Sequence, residues 1–100
     1  MKIDIAEGFD YIPEYNDNRK LPEKEQVVVH FKYLSVEDYT ILMKKGKMNK
    51  TEEWLMICES IDNLEINKRK YKPEDVCGKK GLAGFYGECY EAFQAKKEIE

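Results

Sequence analysis

Residues 27–33 alternate strictly between two faces, and this pattern restricts the fold more than any other stretch of the chain. The odd-numbered positions are all apolar or aromatic: Val27, Val29, Phe31 and Tyr33. Alternation of this kind in β-branched and aromatic residues predicts a β-strand with one face on a core and the other partly wet. His30 lies on the wetter face, where we expect a surface histidine rather than a catalytic one.

The chain before this strand has the pattern of extended structure interrupted by turns. Ile3 and Ile5 alternate with polar residues, and aromatic residues crowd around Pro13. Residues 16–18 (Asn-Asp-Asn) are a turn signal, because Asn and Asp tolerate left-handed backbone geometry. We therefore expect one or two short antiparallel strand pairs from the N-terminal half, with residues 27–33 central.

Residues 35–95 carry helix signals instead. Ser35, with an aspartate three residues later, resembles a capping box, and Gly46 is a suitable end for the helix that follows. A second helix is predicted from Thr51 to about residue 61, with Trp54 on its apolar face. Pro73, followed by two acidic residues, predicts a further helix start.

The last segment has the strongest helical period. Its apolar residues recur three, four, seven and eleven positions after the first: Leu82, Phe85, Tyr86, Cys89 and Phe93. Gly84 and Gly87 lie inside this pattern, where each costs about 1 kcal/mol relative to alanine. Either something packs closely against these glycines, or the helix begins later, near Tyr86.

Together these patterns predict one α+β domain over residues 1–100, because two domains would each be near the lower limit for a core. Residues 1–34 should be mainly extended and residues 35–95 mainly helical, with short antiparallel strands packed by three or four helices. The expected core joins the apolar positions of strand and helices: Val27, Val29, Phe31, Leu42, Trp54, Leu55, Cys58, Ile61, Leu82, Phe85, Cys89 and Phe93.

Composition limits the class of protein. The chain is 42% hydrophobic and 12% aromatic, which excludes disorder, and its net charge of -3 argues against a generally basic nucleic-acid binder. Acidic residues interrupt the N-terminus before a signal-peptide core can form, and no stretch approaches the roughly 18 apolar residues of a membrane span. We expect a cytosolic protein that binds neither nucleic acid nor membrane.

The residues needed for catalysis are sparse. The chain has one histidine and no glycine-rich phosphate motif. Its three cysteines, Cys58, Cys77 and Cys89, match no compact zinc spacing, and Cys58 and Cys89 suit small buried positions on helices. Adjacent acids at 52–53 and 74–75 stand where helix N-termini favour negative charge. We therefore expect no enzymatic activity, cofactor or metal.

Basic residues recur in three clusters, at residues 44–50, 68–72 and 79–80, with tyrosines interleaved. Lysines and aromatic rings together would suit single-stranded nucleic acid. The net acidity and the dispersal of the lysines favour solvated surface instead.

Residues 11–27 resemble the opening of a known family, the small phage proteins encoded between the tail tube and the tape measure. That family has an aromatic-Pro-Glu-aromatic-Asn-x-Asn-Arg segment that runs into a Leu-Pro-x-x-Glu-Gln strand entry, and this chain has YIPEYNDNRKLPEKEQV. Residues 58–64 (CESIDNL), followed by a Pro-Glu-Asp helix start, are also similar. The resemblance is close over residues 11–29 and loose over residues 11–95, and the glycine-rich residues 78–84 depart from it.

This resemblance implies a tail assembly chaperone of a long-tailed phage or prophage. Such a protein binds the tape measure protein, keeps its long apolar helices soluble and helps tail tube protein polymerise around it in the host cytoplasm during phage assembly. Self-association would fit this role. Two alternatives are a structural virion component (a tail completion or head-tail connector subunit) and a small phage-encoded inhibitor of a host protein.

A chaperone of this kind needs apolar side chains that reach its client. The expected partner-binding residues are the apolar face of the last helix and the single tryptophan: Trp54, Leu82, Phe85, Tyr86 and Phe93. The sequence places these residues equally well in the core or in a client groove.

Overall fold

The computed structural model describes residues 1–44 and 49–99, with side chains described up to residue 96 in the last helix. Short antiparallel strands and helices make up an α+β domain, as predicted. In chain order the elements are β1 (Gly8–Tyr11), β2 (Val28–Lys32), α1 (Val36–Lys44), α2 (Lys50–Ile57), β3 (Cys58–Asp62), β4 (Glu65–Ile66), β5 (Arg69–Lys70), α3 (Pro73–Val76) and α4 (Ala83–Ile99). Two 3₁₀ segments, Tyr15–Lys20 and Glu23–Glu25, lie between β1 and β2.

Strand β2 lies at the centre of a three-stranded antiparallel sheet, between β1 and β3. This confirms the prediction for residues 27–33. Val29 and Phe31 are 0% and 2% exposed, whereas His30 is partly exposed on the opposite face. The pairing of β2 with β3 shifts register between His30 and Phe31, so one residue of β3 bulges there.

Aromatic rings fill the space between the inner face of the sheet and helices α2 and α4. The Phe31 ring lies 5.9 Å from Trp54 of α2, edge to face, and 5.4 Å from Phe93 of α4. Such pairs add to the stabilisation from burial alone. The buried core comprises Val29, Phe31, Trp54, Ile57, Cys58, Leu64, Val76, Leu82, Phe85, Cys89 and Phe93.

The predicted helix over residues 51–61 is wrong at both ends. Asn49, rather than Thr51, caps α2, and its side chain accepts a hydrogen bond from the Glu52 N–H at 2.8 Å. The helix ends at Ile57, and residues 58–62 form β3 instead. Cys58 is therefore buried on a strand, opposite Phe31 of β2. Pairing with β2 outweighs the local helical period here.

The early end of α2 also changes the core. Leu55 is 40% exposed, because the short helix turns only Trp54 and Ile57, three residues apart, toward the interior. Leu42 is half-buried on α1, so its predicted place in the core is wrong as well. Val27 and Ile61 pack against the core without being fully buried. Three of the described residues of the hydrophobic core were not predicted to lie there: Ile57, Leu64 and Val76.

Two of the predicted helix starts are confirmed. At α1, the Ser35 N–H donates to Asp38 and the Asp38 N–H donates to the Ser35 hydroxyl, both at 3.0 Å. At α3, Pro73 is the first helical residue. The predicted cap at Gly46 lies outside the described residues.

Helix α4 begins at Ala83 and contains both glycines, which decides between the two alternatives left open. A Cβ atom on Gly84 would lie 3.2 Å from Tyr15 Cε2, tighter than ordinary contact. A Cβ on Gly87 would meet no atom of the described residues within 4 Å, apart from the neighbouring helix backbone. The close approach at Gly84 therefore comes from this chain's own N-terminal region, and Gly87 has no comparable packing reason.

The β1–β2 connection (residues 12–27) folds around a buried amide. Asn16 and Asp17 adopt left-handed φ angles of 54° and 59°, as the turn signal predicts. Asn18 is 5% exposed, and its side chain donates to the carbonyls of Pro13 and Val27 and accepts from the Val27 N–H at 2.7 Å. One side chain thus closes the connection at both ends.

The same connection covers one side of α4. The Tyr15 ring meets Phe85 edge to face at 5.9 Å. The Tyr11 hydroxyl donates to the Glu88 carboxylate at 2.7 Å, and burial together with this carboxylate raises the pKa of Tyr11 to about 12. The apolar face of α4 is therefore enclosed by the sheet, α2 and the β1–β2 connection.

Candidate interaction surface

Helix α1 carries apolar side chains but buries none of its residues. Val36 and Met43 are 83% and 81% exposed, and Ile41 is 44% exposed. Val36 and Met43 lie seven residues apart, so they share one face of the helix. Leu42 is half-buried on the side toward the rest of the chain.

A second exposed apolar element lies at the N-terminus. Residues 1–6 precede β1 without forming a strand, and Ile3 and Ile5 are 65% and 76% exposed. The segment joins the sheet at Glu7, whose carbonyl accepts a hydrogen bond from the Tyr33 N–H at 2.9 Å. This contact brings the N-terminal segment to the end of β2, directly before α1.

An open groove of about 570 Å³ lies between these two elements. Its lining residues come from the N-terminal segment, the β2–α1 junction, α1 and α4: Asp4, Ile5, Ala6, Tyr33, Leu34, Tyr39 and Phe93. We call the groove and the exposed residues Ile3, Ile5, Val36, Ile41 and Met43 the α1 surface. Its chemistry is that of an apolar site for another protein chain, because it offers aromatic and aliphatic side chains and few charges.

The residues predicted to bind a partner lie mostly elsewhere. Trp54, Leu82, Phe85 and Phe93 are 5% exposed or less and belong to the core. The sequence left open whether these residues lie in the core or in a client groove, and the structure has these four in the core. Of the five predicted residues, only Phe93 also lines the groove. Tyr86 is half-buried beside Trp54, with ring centroids 5.3 Å apart.

The Tyr86 hydroxyl is buried without a hydrogen-bond partner among the described residues. Burial and the nearby Glu53 carboxylate raise the pKa of Tyr86 to about 12. The hydroxyl is therefore neutral at physiological pH.

His30 forms a charged cluster on the outer face of the sheet. Its Nδ1 lies 2.6 Å from Asp10 Oδ1 of β1, and its Nε2 lies 2.8 Å from Asp62 Oδ2 of β3. The hydrogen bond with Asp62 is the largest cause that raises the pKa of His30, and Asp10 adds to it. Both ring nitrogens are engaged, so this histidine ties three strands together and has no free nitrogen for a substrate proton.

The cysteines have the environment of packing residues. Burial raises the pKa of the Cys58 thiol to about 12 and also raises the pKa of Cys89 and Cys77. Thiols in this state stay protonated at neutral pH and are poor nucleophiles. Across residues 1–44 and 49–99, no group of three or more histidine, cysteine, aspartate or glutamate side chains is placed to hold a metal ion.

In the part of the chain that the structure describes, none of the helices has the length and apolar character needed to cross a bilayer. Comparison of the chain with models of protein families, with curated proteins and with solved structures finds no match.

Sequence patterns did not single out the α1 surface. Of the apolar residues of α1, only Leu42 was predicted to lie in the core, and Ile3 and Ile5 were predicted to lie in extended chain. One signal was available: residues 36, 39, 42 and 43 share one side of the helix, and Ile41 lies nearly opposite them. A nine-residue helix with that spread cannot bury all of them against one neighbour.

Proposed function

We propose that this protein is a non-catalytic tail assembly chaperone of a long-tailed phage, and that the α1 surface binds the tape measure protein in the host cytoplasm during phage assembly. The observation that carries this proposal is the exposure of Val36 and Met43 on a helix that buries no residue. A chaperone for long apolar helices needs such side chains outside its own core.

The shape of the surface supports a helical client. The groove of about 570 Å³ is open along the N-terminal segment and has Tyr33, Tyr39 and Phe93 in its lining. An amphipathic helix placed in a groove buries side chains at intervals of three or four residues, and aromatic rings suit that kind of contact. The similarity of residues 11–29 to the phage family supports the same assignment.

The test is co-expression with the long helical protein encoded next to this gene. The wild-type chain should raise the soluble fraction of that client, and the double variant Val36→Glu/Met43→Glu should lose most of the effect. Two carboxylates in the apolar contact would have to be desolvated on binding.

Leu55→Glu is the control for one of these two changes, because it places a single carboxylate on an exposed apolar position of another helix. It should leave client solubility at the wild-type level. If the wild-type chain does not change client solubility, or if Leu55→Glu is as damaging as the double variant, the proposal fails. Mass spectrometry of purified virions separates the roles, since a chaperone is absent from them and a structural subunit is present in stoichiometric amounts.

A further inference from the structure

A second surface of this molecule is strongly basic. Residues 65–80 hold six basic and three acidic side chains, so the other 84 residues together carry a net charge of -6. The basic residues come from the β4–β5 hairpin and from the connection between α3 and α4: Lys68, Arg69, Lys70, Lys72, Lys79 and Lys80. We call these six residues the basic surface.

Tyr71 brings the two segments together. The Arg69 guanidinium lies 5.6 Å from the centroid of the Tyr71 ring, and the Lys79 ammonium lies 5.9 Å from it. The Tyr71 N–H donates to the carbonyl of the buried Leu64 at 2.8 Å, and this hydrogen bond ties the Tyr71 backbone to the core. Cations from two separate segments are thus held around one aromatic ring.

These cations are not neutralised within the described part of the chain. No carboxylate there lies within 4 Å of any of the six, whereas Arg19 and Lys20 each have an acidic partner. Glu65 faces Lys70 across the hairpin without forming an ion pair, and Asp75 accepts a hydrogen bond from the Lys72 N–H. Arg69 and Lys79 share one ring, and the repulsion between their like charges offsets part of what the two cation–π contacts contribute.

The tip of the β4–β5 hairpin gives an independent indication that these cations have a role beyond the fold. Asn67 and Lys68 occupy a two-residue turn with φ angles of 52° and 66°. Glycine is the favoured residue at the second position of such a turn, because a side chain is disfavoured in the left-handed region. This chain instead has an exposed lysine there. A strained backbone position that carries a charge points to a use for that charge.

We propose that the basic surface binds an acidic segment of a partner protein. Carboxylate side chains fit ammonium and guanidinium groups that have no acidic partner of their own. Single-stranded nucleic acid is less suitable, because the Tyr71 ring on which a base would stack already has Arg69 and Lys79 over it. The charge of -6 on the other residues also opposes a long polyanion.

The experiment compares two labelled probes, a short glutamate-rich peptide and a mixed-sequence single-stranded oligonucleotide of equal net charge. The full chain should bind the peptide more tightly than the oligonucleotide, and rising salt should weaken the binding. The variant Lys68→Glu/Lys80→Glu should weaken peptide binding by about tenfold or more. Lys2→Glu/Lys20→Glu makes the same change in net charge elsewhere and should have a much smaller effect.

A second variant keeps the test valid if charge reversal disturbs the hairpin. Lys68→Gly removes one cation and relieves the left-handed strain, so it should weaken peptide binding severalfold without loss of thermal stability. Three results would overturn the proposal: tighter binding of the oligonucleotide, equal weakening by the control variant, or a homodimer that forms without any probe and dissociates in Lys68→Glu/Lys80→Glu. The α1 surface is unchanged in all these variants, so this outcome is independent of the chaperone proposal.

Discussion

Helices α1 and α4 both carry apolar side chains at close intervals, yet they differ in what covers those side chains. Phe85 and Cys89 of α4 are 2% and 0% exposed, whereas Val36 and Met43 of α1 are more than 80% exposed. Helix α4 is enclosed by the sheet, α2 and the β1–β2 connection, and α1 has no such cover among the described residues. The comparison shows that an apolar pattern makes a helix able to pack, while its neighbours decide whether it does.

Shortening one apolar side chain on each helix should have very different effects on stability. Phe85→Ala should lower the free energy of unfolding by about 3–5 kcal/mol, because it leaves a cavity in the core. Met43→Ala should change it by less than about 0.5 kcal/mol, because the side chain is exposed. Urea unfolding of both variants measures the difference, and similar losses in the two would contradict it.

A smaller loss should follow from opening the cover of α4. Asn18→Ala leaves the Val27 N–H and the carbonyls of Pro13 and Val27 without their partner. We expect a decrease of about 1–3 kcal/mol in the free energy of unfolding. Gln26→Ala also removes two hydrogen bonds to the same connection, but at an exposed site, and should be milder. If the two variants are equally stable, the buried amide is not what closes the connection.

The two glycines of α4 differ in what surrounds them. Gly87→Ala should raise the free energy of unfolding by about 0.5–1 kcal/mol, because the new methyl group meets none of the described side chains and alanine favours the helix. Gly84→Ala should gain less or lose stability, because its methyl group would press on Tyr15. Thermal denaturation of the pair provides the measurement. An equal gain in both would show that Tyr15 moves aside freely.

The stability contributed by the outer face of the sheet should depend on pH above pH 6.5. His30 has a pKa above its ordinary 6.5 in the folded chain, because Asp62 and Asp10 stabilise its charged form. This stabilisation is therefore fully present below pH 6.5 and is lost as pH rises through the folded pKa.

Urea unfolding should be measured from below pH 6.5 upward. The free energy of unfolding of the wild type should exceed that of His30→Gln at low pH, and this difference should shrink as pH rises. The double variant Asp10→Asn/Asp62→Asn is the control, since it removes both partners and should flatten the pH dependence. Stability differences that do not vary with pH would contradict this role for His30.

Local sequence patterns predicted the elements that have either a regular spacing of apolar residues or a helix-start motif. The alternation at residues 27–33, the Ser35 capping box, the Pro73 start and the period of α4 all correspond to observed structure. The failures occur where two kinds of element compete. Residues 58–62 have apolar positions that continue the helix before them, and only pairing with β2 makes them a strand.

The candidate surfaces were harder to predict from the sequence than the helices and strands. The apolar face of α4 is in the core because the sheet, α2 and the β1–β2 connection cover it, while no described segment encloses Val36 and Met43 of α1. The basic residues at 68–72 and 79–80 look like separate clusters along the chain. Their meeting around Tyr71 depends on the path of the chain between them.

The amino-acid order alone settled the fold class, the central strand and the last helix, because periodicity and caps act over a few residues. Which apolar faces are enclosed was decided by tertiary structure, since burial depends on segments far apart in the chain. Tyr15 covers Phe85 from 70 residues away, and none of the described segments covers Val36 or Met43 in this way. The apolar surface outside the core, on which the proposed function rests, is a product of that arrangement.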